Sequence, residues 1–251
     1  MNKKNPRICV YSVIFNEYDT IKNFPKQTVD CDFILFTDSP EKFSENHGWQ
    51  IRKLPIPSWK FNKKVLVSRY IKIMSQKIFT PDTNNRLIKL LNHIKKLEVY
   101  DYTIWIDASL QIQTETFVQE MISMEGPYQI VMFVHPERSC IFDEAFVLEN
   151  DLRFLGNNLP FTEQVNFYSK KGYPHQNGLM ATGVILRNTK NRIIRKIERQ
   201  WWKELRKWTF RDQLSLPYIL WKNQYDYDKI DLNLWDNHLI KFIPHKHNLW
   251  K

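Results

Sequence analysis

Glycine is scarce in this chain, and so are cysteine and long apolar stretches. Six of the 251 residues are glycine, well below the roughly 7% of average proteins. No Gly/Ser-rich linker, internal repeat or low-complexity tract divides the sequence, so we interpret it as a single domain. No apolar run approaches the roughly 20 residues that a membrane-spanning helix requires, which excludes such a span from the prediction.

The three cysteines, Cys9, Cys31 and Cys140, match neither the spacing of a zinc site nor a disulfide framework. This usage is simplest to explain in a reducing compartment. The basic residues 1–7 precede an apolar stretch, 8–15, that is short and interrupted by a serine, which is not typical of a signal peptide. We therefore expect a cytoplasmic protein, with peripheral attachment to the inner membrane face as the alternative.

The net charge is +10 at pH 7, and charged residues make up 25% of the chain. A basic surface attracts phosphates, nucleic acid or anionic lipid. An AT-rich codon bias, which inflates Lys and Asn, explains the excess equally well. Because no basic run is long and no nucleic-acid motif is present, we expect no nucleic-acid partner.

Strand and helix patterns alternate through the first half of the chain. The apolar patterns predict strands over 8–15, 32–38, 49–54, 103–106, 129–134 and 182–186, and helices over 64–79, 86–97, 116–124 and 191–208. Residues 135–174 are interpreted as irregular and polar. Alternation of this kind predicts an α/β fold with a mostly parallel sheet covered by helices on both faces. Ligands bind such sheets at the carboxyl ends of the strands.

The predicted strand 103–106 leads directly into Asp107 and, two residues later, Ser109. Side chains two apart on an extended chain lie on the same side. Oxygen ligands suit hard cations such as Mg²⁺ or Mn²⁺, and a departing diphosphate needs such a cation. A turn or a helix cap explains Asp107 as well.

Two further sites carry charge next to apolar residues. Asp212, between Arg211 and Gln213, could accept a proton from an acceptor hydroxyl as a general base, or it could simply cap a helix. Arg69 and Lys72 lie three residues apart on a predicted helix and share one face. They could clamp a diphosphate, or they could form an ordinary solvated face.

Three other segments are candidates for a pocket. His245 and His247 are two apart, so their rings point to opposite sides of an extended chain and at most one could bind a metal. Residues 135–140, followed by the acidic pair 143–144, combine unlike charges as in a polar pocket wall. Residues 177–183 contain two of the six glycines, which suits either close approach to a ligand or a tight turn.

The order of these motifs resembles one family. The motifs are Val10–Asp19, Phe36–Asp38, Arg69–Lys72, Trp105–Ser109, His135–Cys140 with Glu144, Ala181–Arg187, Trp208 with Arg211–Gln213, and a terminal histidine. Over roughly residues 8 to 247 the chain resembles the glycosyltransferase family formerly classed as a domain of unknown function. That family includes plant mucilage-related proteins and a chlorella-virus glycosyltransferase domain.

The resemblance implies a GT-A fold, with a nucleotide-binding half over about residues 8–110 and an acceptor and catalytic half over about 111–251. It also implies a nucleoside-diphosphate sugar donor, expected to be UDP-linked, and Mn²⁺ or Mg²⁺. Asp107 and Ser109 stand at the DxD position, where Asp107 would hold the metal together with either His245 or His247.

The resemblance assigns roles to further residues. The nucleotide sugar would be held by Tyr11, Ser12, Thr37, Asp38, Arg69, Lys72, Asp107, Ala108 and Gln213. The acceptor and donor-sugar pocket would be lined by His135, Arg138, Glu144, Asn177 and Thr182. Asp212 would be the catalytic base if the transfer to a glycan or glycolipid hydroxyl inverts configuration.

The chain also departs from the family pattern. Ser109 replaces the second acidic residue of the DxD motif, and residues 16–17 read Asn-Glu where relatives often carry Gly. The sequence leaves retention of configuration open. Three rival functions also stay open: a non-catalytic glycan- or nucleotide-binding protein, a peripheral membrane protein using the basic helix 191–208, and a nucleotide phosphodiesterase.

Overall fold

A computed structural model describes residues 5–15, 17–43, 45–54, 65–79, 99–154 and 158–245. The strands are β1 (Ile8–Ile14), β2 (Asp32–Thr37), β3 (Gln50–Lys53), β4 (Tyr102–Ile106), β5 (Leu110–Ile112), β6 (Ile130–Val134), β7 (Met180–Asn188), β8 (Asp228–Ile230) and β9 (Ile240–Phe242). The α-helices are α1 (Val65–Ile73), α2 (Ser75–Phe79), α3 (Phe117–Ser123), α4 (Ile141–Glu149), α5 (Phe161–Lys170), α6 (Arg192–Lys207) and α7 (Asp212–Lys222). A short 3₁₀ helix spans Pro40–Lys42.

Seven of the strands in the described residues form one sheet in the order β3-β2-β1-β4-β7-β6-β8. Neighbouring strands are parallel except where β7 pairs with β4 and with β6. The prediction of a mostly parallel α/β sheet is therefore confirmed. A single sheet also runs through the two predicted halves of the chain, because β7 hydrogen-bonds directly to β4.

Strand β1 lies inside the sheet, and all seven of its residues are buried. Its side chains alternate between the two faces, as the strand period of two requires. Cys9, Tyr11 and Val13 join the core cluster beneath helices α1, α6 and α7, whereas Val10 and Ile14 join the cluster that packs on α3. Helices therefore cover both faces of the sheet, as predicted.

The strand order reverses direction next to β1. The chain runs from β1 outwards to β2 and β3, then returns across β1 to β4 on the other side. In open α/β sheets a crevice forms outside the carboxyl ends of the two strands that flank such a switch point. The fold thus places a ligand crevice where β1 ends at Ile14 and β4 ends at Ile106.

An irregularity in β7 lies close to this crevice. Met132 of β6 pairs with Ile185, but the next residue, Phe133, pairs with Ala181. The residues between these partners on β7, 182–184, are therefore extra relative to β6. Bulges of this kind re-aim side chains and are frequent beside active sites.

The predicted helix over 64–79 is interrupted at Met74, between α1 and α2, and residue 64 lies outside the described residues. Glu198 of α6 explains the break. Its buried carboxylate accepts hydrogen bonds from Ser75 Oγ (2.5 Å) and from the Gln76 backbone N–H (3.2 Å). It thereby satisfies backbone and side-chain donors at the start of the second helix.

Residues 135–174 were interpreted as irregular, and this is wrong, because helices α4 and α5 lie within them. Both helices bury aromatic or aliphatic residues such as Ile141, Phe161 and Tyr168 against the core. The predicted strand 182–186 is also longer than expected, since β7 spans Met180–Asn188. The predicted helix over 86–97 lies outside the described residues.

Candidate active site

The ammonium group of Lys72 bridges two carboxylates at the crevice. Lys72 Nζ lies 2.6 Å from Asp212 Oδ2 and 3.3 Å from Asp107 Oδ1. The Thr182 hydroxyl lies between them, accepting from Lys72 Nζ (3.2 Å) and donating to Asp212 Oδ2 (3.0 Å). Arg69 Nη1 approaches the same Asp212 oxygen at 3.5 Å. The structure therefore brings five predicted site residues into one charged cluster.

Asp212 is the first residue of α7 and is only 2% exposed. Its side chain does not cap the helix, because Arg211 holds the N-cap position. Burial alone would raise the pKa of Asp212, but the adjacent Arg69 and Lys72 outweigh burial and hold that pKa well below its usual range. Asp212 is thus a carboxylate that stays ionised and is shared between two cations.

Asp107 follows β4 and is fixed by its neighbours. Trp105 Nε1 donates to Asp107 Oδ1 at 2.6 Å, and the Asp107 backbone N–H donates to Gly183 O. A Cβ at Gly183 would come within 3.0 Å of Leu110 and of Leu234, and 3.6 Å from Asp107 Oδ2. The Asp107 side chain remains 34% exposed. One of its oxygens is therefore held in place while the group still reaches the crevice.

A second charged cluster lies next to Asp212 in the chain. Buried Glu144 accepts from Arg138 Nε (2.6 Å) and from Arg211 Nη2 (3.0 Å), and Arg211 also donates to Gln213 Oε1 (3.1 Å). Burial would raise the pKa of Glu144, but Arg211 and Arg138 lower it. One carboxylate thus orients two guanidinium groups that keep about a fifth of their side-chain surface exposed.

His135 completes this second cluster. Its Nδ1 accepts from the backbone N–H groups of Glu137 (3.2 Å) and Arg138 (3.1 Å). Burial, and then the Arg138 guanidinium, lower the pKa of His135. An uncharged His135 with Nδ1 as the acceptor fits both observations, so this residue shapes the wall of the cluster and adds no charge to it.

The predicted nucleotide contact Tyr11 lies in the core. Its side chain has no exposed surface, and its hydroxyl donates to the Lys72 backbone O (3.1 Å) and accepts from Arg187 Nη1 (3.1 Å). In this structure Tyr11 therefore supports the backbone beneath Lys72 and does not face the crevice. Ser12 is 2% exposed, and its Oγ is buried without a hydrogen-bond partner in the part of the chain that the structure describes.

Thr37 and Asp38 stand at the carboxyl end of β2, in register with Ile14 at the end of β1. The buried Thr37 hydroxyl accepts from the Ser39 N–H at 3.2 Å, whereas Asp38 is half-buried. Ala108, beside Asp107, is 8% exposed. These positions border the crevice from the β2 side, as their places in the sequence predict for strand ends.

The segment before the C-terminus returns to the Asp107 loop. The Ile243 N–H donates to Ser109 O at 2.7 Å, and two residues later His245 Nδ1 lies 2.6 Å from Asp19 Oδ2. The Asp19 side chain has no exposed surface and also accepts from Lys22 Nζ at 2.6 Å. Metal-binding histidines commonly pair one ring nitrogen with a carboxylate in this way, which leaves Nε2 for another partner.

The side chains present suit a divalent cation only if a ligand completes its coordination. Within the described ranges, no group of three or more His, Cys, Asp or Glu side chains could hold a metal ion. Asp107 offers a partly exposed carboxylate, and the buried Ser109 follows in the turn that the Leu110 N–H closes on Asp107 O at 2.9 Å. Mg²⁺ is often held by one or two carboxylates together with substrate phosphates. The side chains present fit this mode of binding, in which phosphates complete the coordination. His247, the alternative histidine ligand, lies outside the described residues.

One predicted pocket residue, Asn177, makes its contact outside the two charged clusters. Asn177 is exposed on the loop before β7, where its amide lies 3.4 Å from the Tyr173 hydroxyl. Two residues of the site, Trp105 and Asp19, lie in the family motifs quoted above, but the sequence assigned no role to either. A buried strand ending in Trp-x-Asp could have indicated the first of them, but no local pattern marks Asp19, whose partner is 226 residues away.

The helix predicted for a membrane-binding role is α6. Its residues Ile194, Ile197, Trp201 and Leu205 are buried in the core, while Ile193 is 47% exposed. The apolar face is therefore not free to enter a membrane surface, and only the basic face remains. No helix among the described residues is both long and apolar enough to span a bilayer.

A mostly parallel sheet with a switch-point crevice, and a charged cluster at that crevice, defines an α/β domain with a candidate ligand site at the carboxyl ends of its strands. The chain belongs to the TOD1/MUCI70 glycosyltransferase-like domain family, whose model matches residues 1–247. This supports a glycosyltransferase. No curated protein matches the chain.

Proposed function

We propose that this protein transfers a sugar from a UDP-linked nucleoside-diphosphate donor to a hydroxyl group of a glycan or glycolipid acceptor. The observation that carries the proposal is the cluster in which Lys72 joins Asp107 to Asp212 at the switch-point crevice. The family of glycosyltransferase-like domains to which the chain belongs supports the same class of reaction.

The two basic side chains of α1 suit the leaving diphosphate. Lys72 and Arg69 both point at the crevice from one helix face, and Lys72 is 1% exposed. Positive charge that is fixed before the reaction stabilises negative charge as it develops on the departing group. Asp107, with Ser109 and a C-terminal histidine, would hold Mn²⁺ or Mg²⁺, which supplies further neutralisation of the diphosphate when bound.

Asp212 suits the role of general base. In the proposed step the acceptor oxygen forms a bond to the anomeric carbon, the bond from that carbon to the diphosphate breaks, and the acceptor proton moves to Asp212. The bonding electron pair leaves with the diphosphate. A single displacement of this kind inverts the configuration of the anomeric carbon.

The low pKa of Asp212 makes it a weak base while Lys72 and Arg69 are its partners. A bound diphosphate competes for both cations and so raises the proton affinity of Asp212. Donor binding thereby prepares the base, and the free enzyme holds it inactive. The Arg138–Glu144–Arg211 cluster, with Gln213, borders the place where the acceptor would approach.

A thermal-shift panel of nucleotide sugars, with and without Mn²⁺, tests donor binding. We expect a UDP-linked sugar to stabilise the protein only when Mn²⁺ is present, and Asp107→Ala to abolish the shift. An equal shift without metal contradicts metal dependence. A shift with every nucleotide except uridine contradicts the proposed donor.

Asp212→Asn tests the base. The variant keeps the size of the side chain, so it should still bind donor while transfer falls by about 10²–10⁴-fold, the usual contribution of a general base. Asp231→Asn, on the exposed segment after β8, is the matched control and should transfer normally. Normal transfer by Asp212→Asn shows that the assignment of the base is wrong.

A further inference from the structure

A second cavity lies beside α7, away from the Asp212 end of that helix. Its volume is about 320 Å³, within the range of about 300–1,000 Å³ for ligand pockets. The carboxyl-terminal half of α7, the loop before β7 and the edge strand β8 enclose it. Asn177, which the family resemblance assigns to the acceptor and donor-sugar pocket, lines this cavity, and none of the other residues given a role in the transfer reaction does. We call this cavity the α7 groove.

Three half-buried aromatic residues, Tyr128, Trp221 and Tyr225, give the α7 groove its walls. The Trp221 ring is packed against Tyr173 (centroids 5.6 Å apart) and Tyr218 (5.8 Å). Rings that are already fixed offer a large contact area at little cost in conformational entropy. The groove therefore presents preformed apolar faces, which suit the C–H faces of sugar rings.

The Tyr225 ring is also held in place. Its hydroxyl donates to the Tyr128 backbone O and accepts from Asn191 Nδ2 at 3.0 Å, and the two tyrosine rings meet edge to face. Because this hydroxyl is already occupied, Tyr225 contributes a face to the groove, and polar contacts must come from other side chains.

Polar groups at the rim supply those contacts, and their charges cancel. Asn177 and Gln224 are exposed amides, and Asp226 is paired with Lys229 at 3.1 Å. Amides and a neutral ion pair can both donate to and accept from hydroxyl groups. A groove without net charge favours an uncharged, hydroxyl-rich ligand over a phosphate or a uronic acid.

Left-handed backbone flanks the groove on both sides. Gln176 (φ 54°) and Gly178 (φ 80°) lie on the loop before β7, and Gln224 (φ 51°) follows α7. Non-glycine residues in this conformation are strained, and such strain concentrates at ligand-binding loops. A Cβ at Gly178 would meet no atom within 4 Å, so the groove is open at this point.

The α7 groove lies at a suitable distance from the reaction centre. Trp221 is nine residues beyond Asp212, about 14 Å along the helix at a rise of about 1.5 Å per residue. Met180, which also lines the groove, precedes Thr182 by two residues on β7. We propose that the α7 groove binds a neutral oligosaccharide, as a subsite for a distal part of the acceptor. The acceptor role rests on the proposed transfer reaction, whereas saccharide binding by itself does not.

Saturation-transfer NMR on the full chain, without nucleotide or metal, tests the proposal. The probes are linear neutral trisaccharides of glucose, galactose and mannose, with trigalacturonic acid and inorganic phosphate for comparison. We expect at least one neutral trisaccharide to bind. Trp221→Ala should raise its dissociation constant at least tenfold, whereas Asp212→Asn should not change it.

Two further variants guard against misinterpretation. Trp235→Ala removes another partly exposed tryptophan, which meets Phe242 edge to face and does not line the groove, and should bind as wild type. Gln224→Gly removes a rim amide at a position where the positive φ favours glycine. It should fold normally and weaken binding several-fold.

Several results overturn the proposal. They are binding of none of the neutral trisaccharides, preference for the anionic probes, unchanged binding by both Trp221→Ala and Gln224→Gly, and loss of binding in Asp212→Asn. A failure of the proposed transfer reaction can be told apart from a failure of the groove proposal. In that case the wild-type protein forms no transfer product but still binds a neutral trisaccharide.

Discussion

Two of the buried carboxylates that pair with basic side chains, Asp212 and Glu198, differ in the direction in which their pKa values are shifted. At the crevice, Asp212 lies between Lys72 and Arg69, and its pKa is lowered. In the core, Glu198 faces Arg187 at 3.4 Å, and burial raises its pKa to about 7 despite that arginine. At Asp212, Arg69 and the ammonium of Lys72, which is 2.6 Å away, outweigh the loss of hydration. At Glu198, Arg187 and Arg195 do not.

In the proposed reaction the Asp212 cluster acts on the ligand, whereas the Glu198 cluster supports the fold. The Asp212 cluster keeps several charges near the partly exposed Asp107, where the proposed phosphorylated ligand would exchange partners with them. The Glu198 cluster is sealed: Glu198 holds the start of α2, and Arg187 supports Tyr11 beneath the Lys72 backbone. The core cluster therefore fixes the helix that carries the reactive cation.

Lys72→Met should produce the largest effect on stability. The variant leaves two carboxylates without the ammonium that they share, and breaking a buried pair in this way costs about 3–5 kcal/mol. Urea unfolding measures the loss. Lys77→Met on the adjacent helix, where the side chain is exposed, should change stability by less than about 0.5 kcal/mol. A loss below about 1 kcal/mol for Lys72→Met would show that the Asp212 cluster does not depend on this ammonium group for its stability.

Glu198→Gln should remove a pH dependence of stability. Between the ordinary pKa of 4.5 and about 7, the folded protein holds a proton on Glu198 that the unfolded chain lacks. The free energy of unfolding in wild type therefore rises as pH falls through this window, by roughly 3 kcal/mol, and this contribution is lost as pH rises through about 7.

Chemical denaturation at several pH values from 4.5 to 8 isolates that contribution as the difference between wild type and Glu198→Gln. Glu204→Gln, on the same helix, is the control and should retain the wild-type slope. A wild-type slope in Glu198→Gln would show that Glu198 is ionised in the core.

Trp105→Phe should weaken ligand binding without unfolding the protein. The phenyl ring keeps most of the packing but loses the N–H that holds Asp107 Oδ1. Loss of a group that orients a metal ligand typically costs 10–100-fold in affinity. Titration of Mn²⁺ with a UDP-sugar measures the change. Trp208→Phe loses an equivalent hydrogen bond, to Glu204 Oε1, which holds no proposed metal or nucleotide ligand, and should bind as wild type.

Lys190→Ala should have the smallest effect. Lys190 pairs with Asp101 at 2.6 Å, but its side chain is 76% exposed. Exposed ion pairs contribute less than about 1 kcal/mol because water and salt screen them. A thermal melt at low and high salt should show little difference from wild type. A large loss would mean that burial does not control the ranking of these pairs.

The sheet, and the helix face that carries Arg69 and Lys72, could be predicted from local patterns. Strands β1, β2 and β4 are short runs of mainly apolar residues, and the spacing of Arg69 and Lys72 places them on one helix face. Their common partner, Asp212, lies 140 residues after Lys72 in the chain. A local periodicity cannot indicate a contact over such a separation. The resemblance to a family, and not the spacing, therefore indicated Asp212.

The nucleotide contact that the resemblance implies for Tyr11 does not agree with its place in the structure. Tyr11 is the central residue of β1, and both faces of that strand are covered, so its side chain lies in the core. Helices α4 and α5 were missed because their apolar residues are interspersed with exposed polar ones. Phe146, at 71% exposed, further blurs the stripe of α4.

The ammonium group of Lys72 also has a consequence for how the protein folds in the absence of a metal ion. Metal sites built from several acidic side chains repel themselves when empty, and such domains often need their ion to fold. Here the chain supplies a resident counter-charge for both aspartates. Under the proposed function, the folded protein should therefore form during manganese or magnesium starvation, and a chelator should lower sugar transfer without lowering the yield of folded chains.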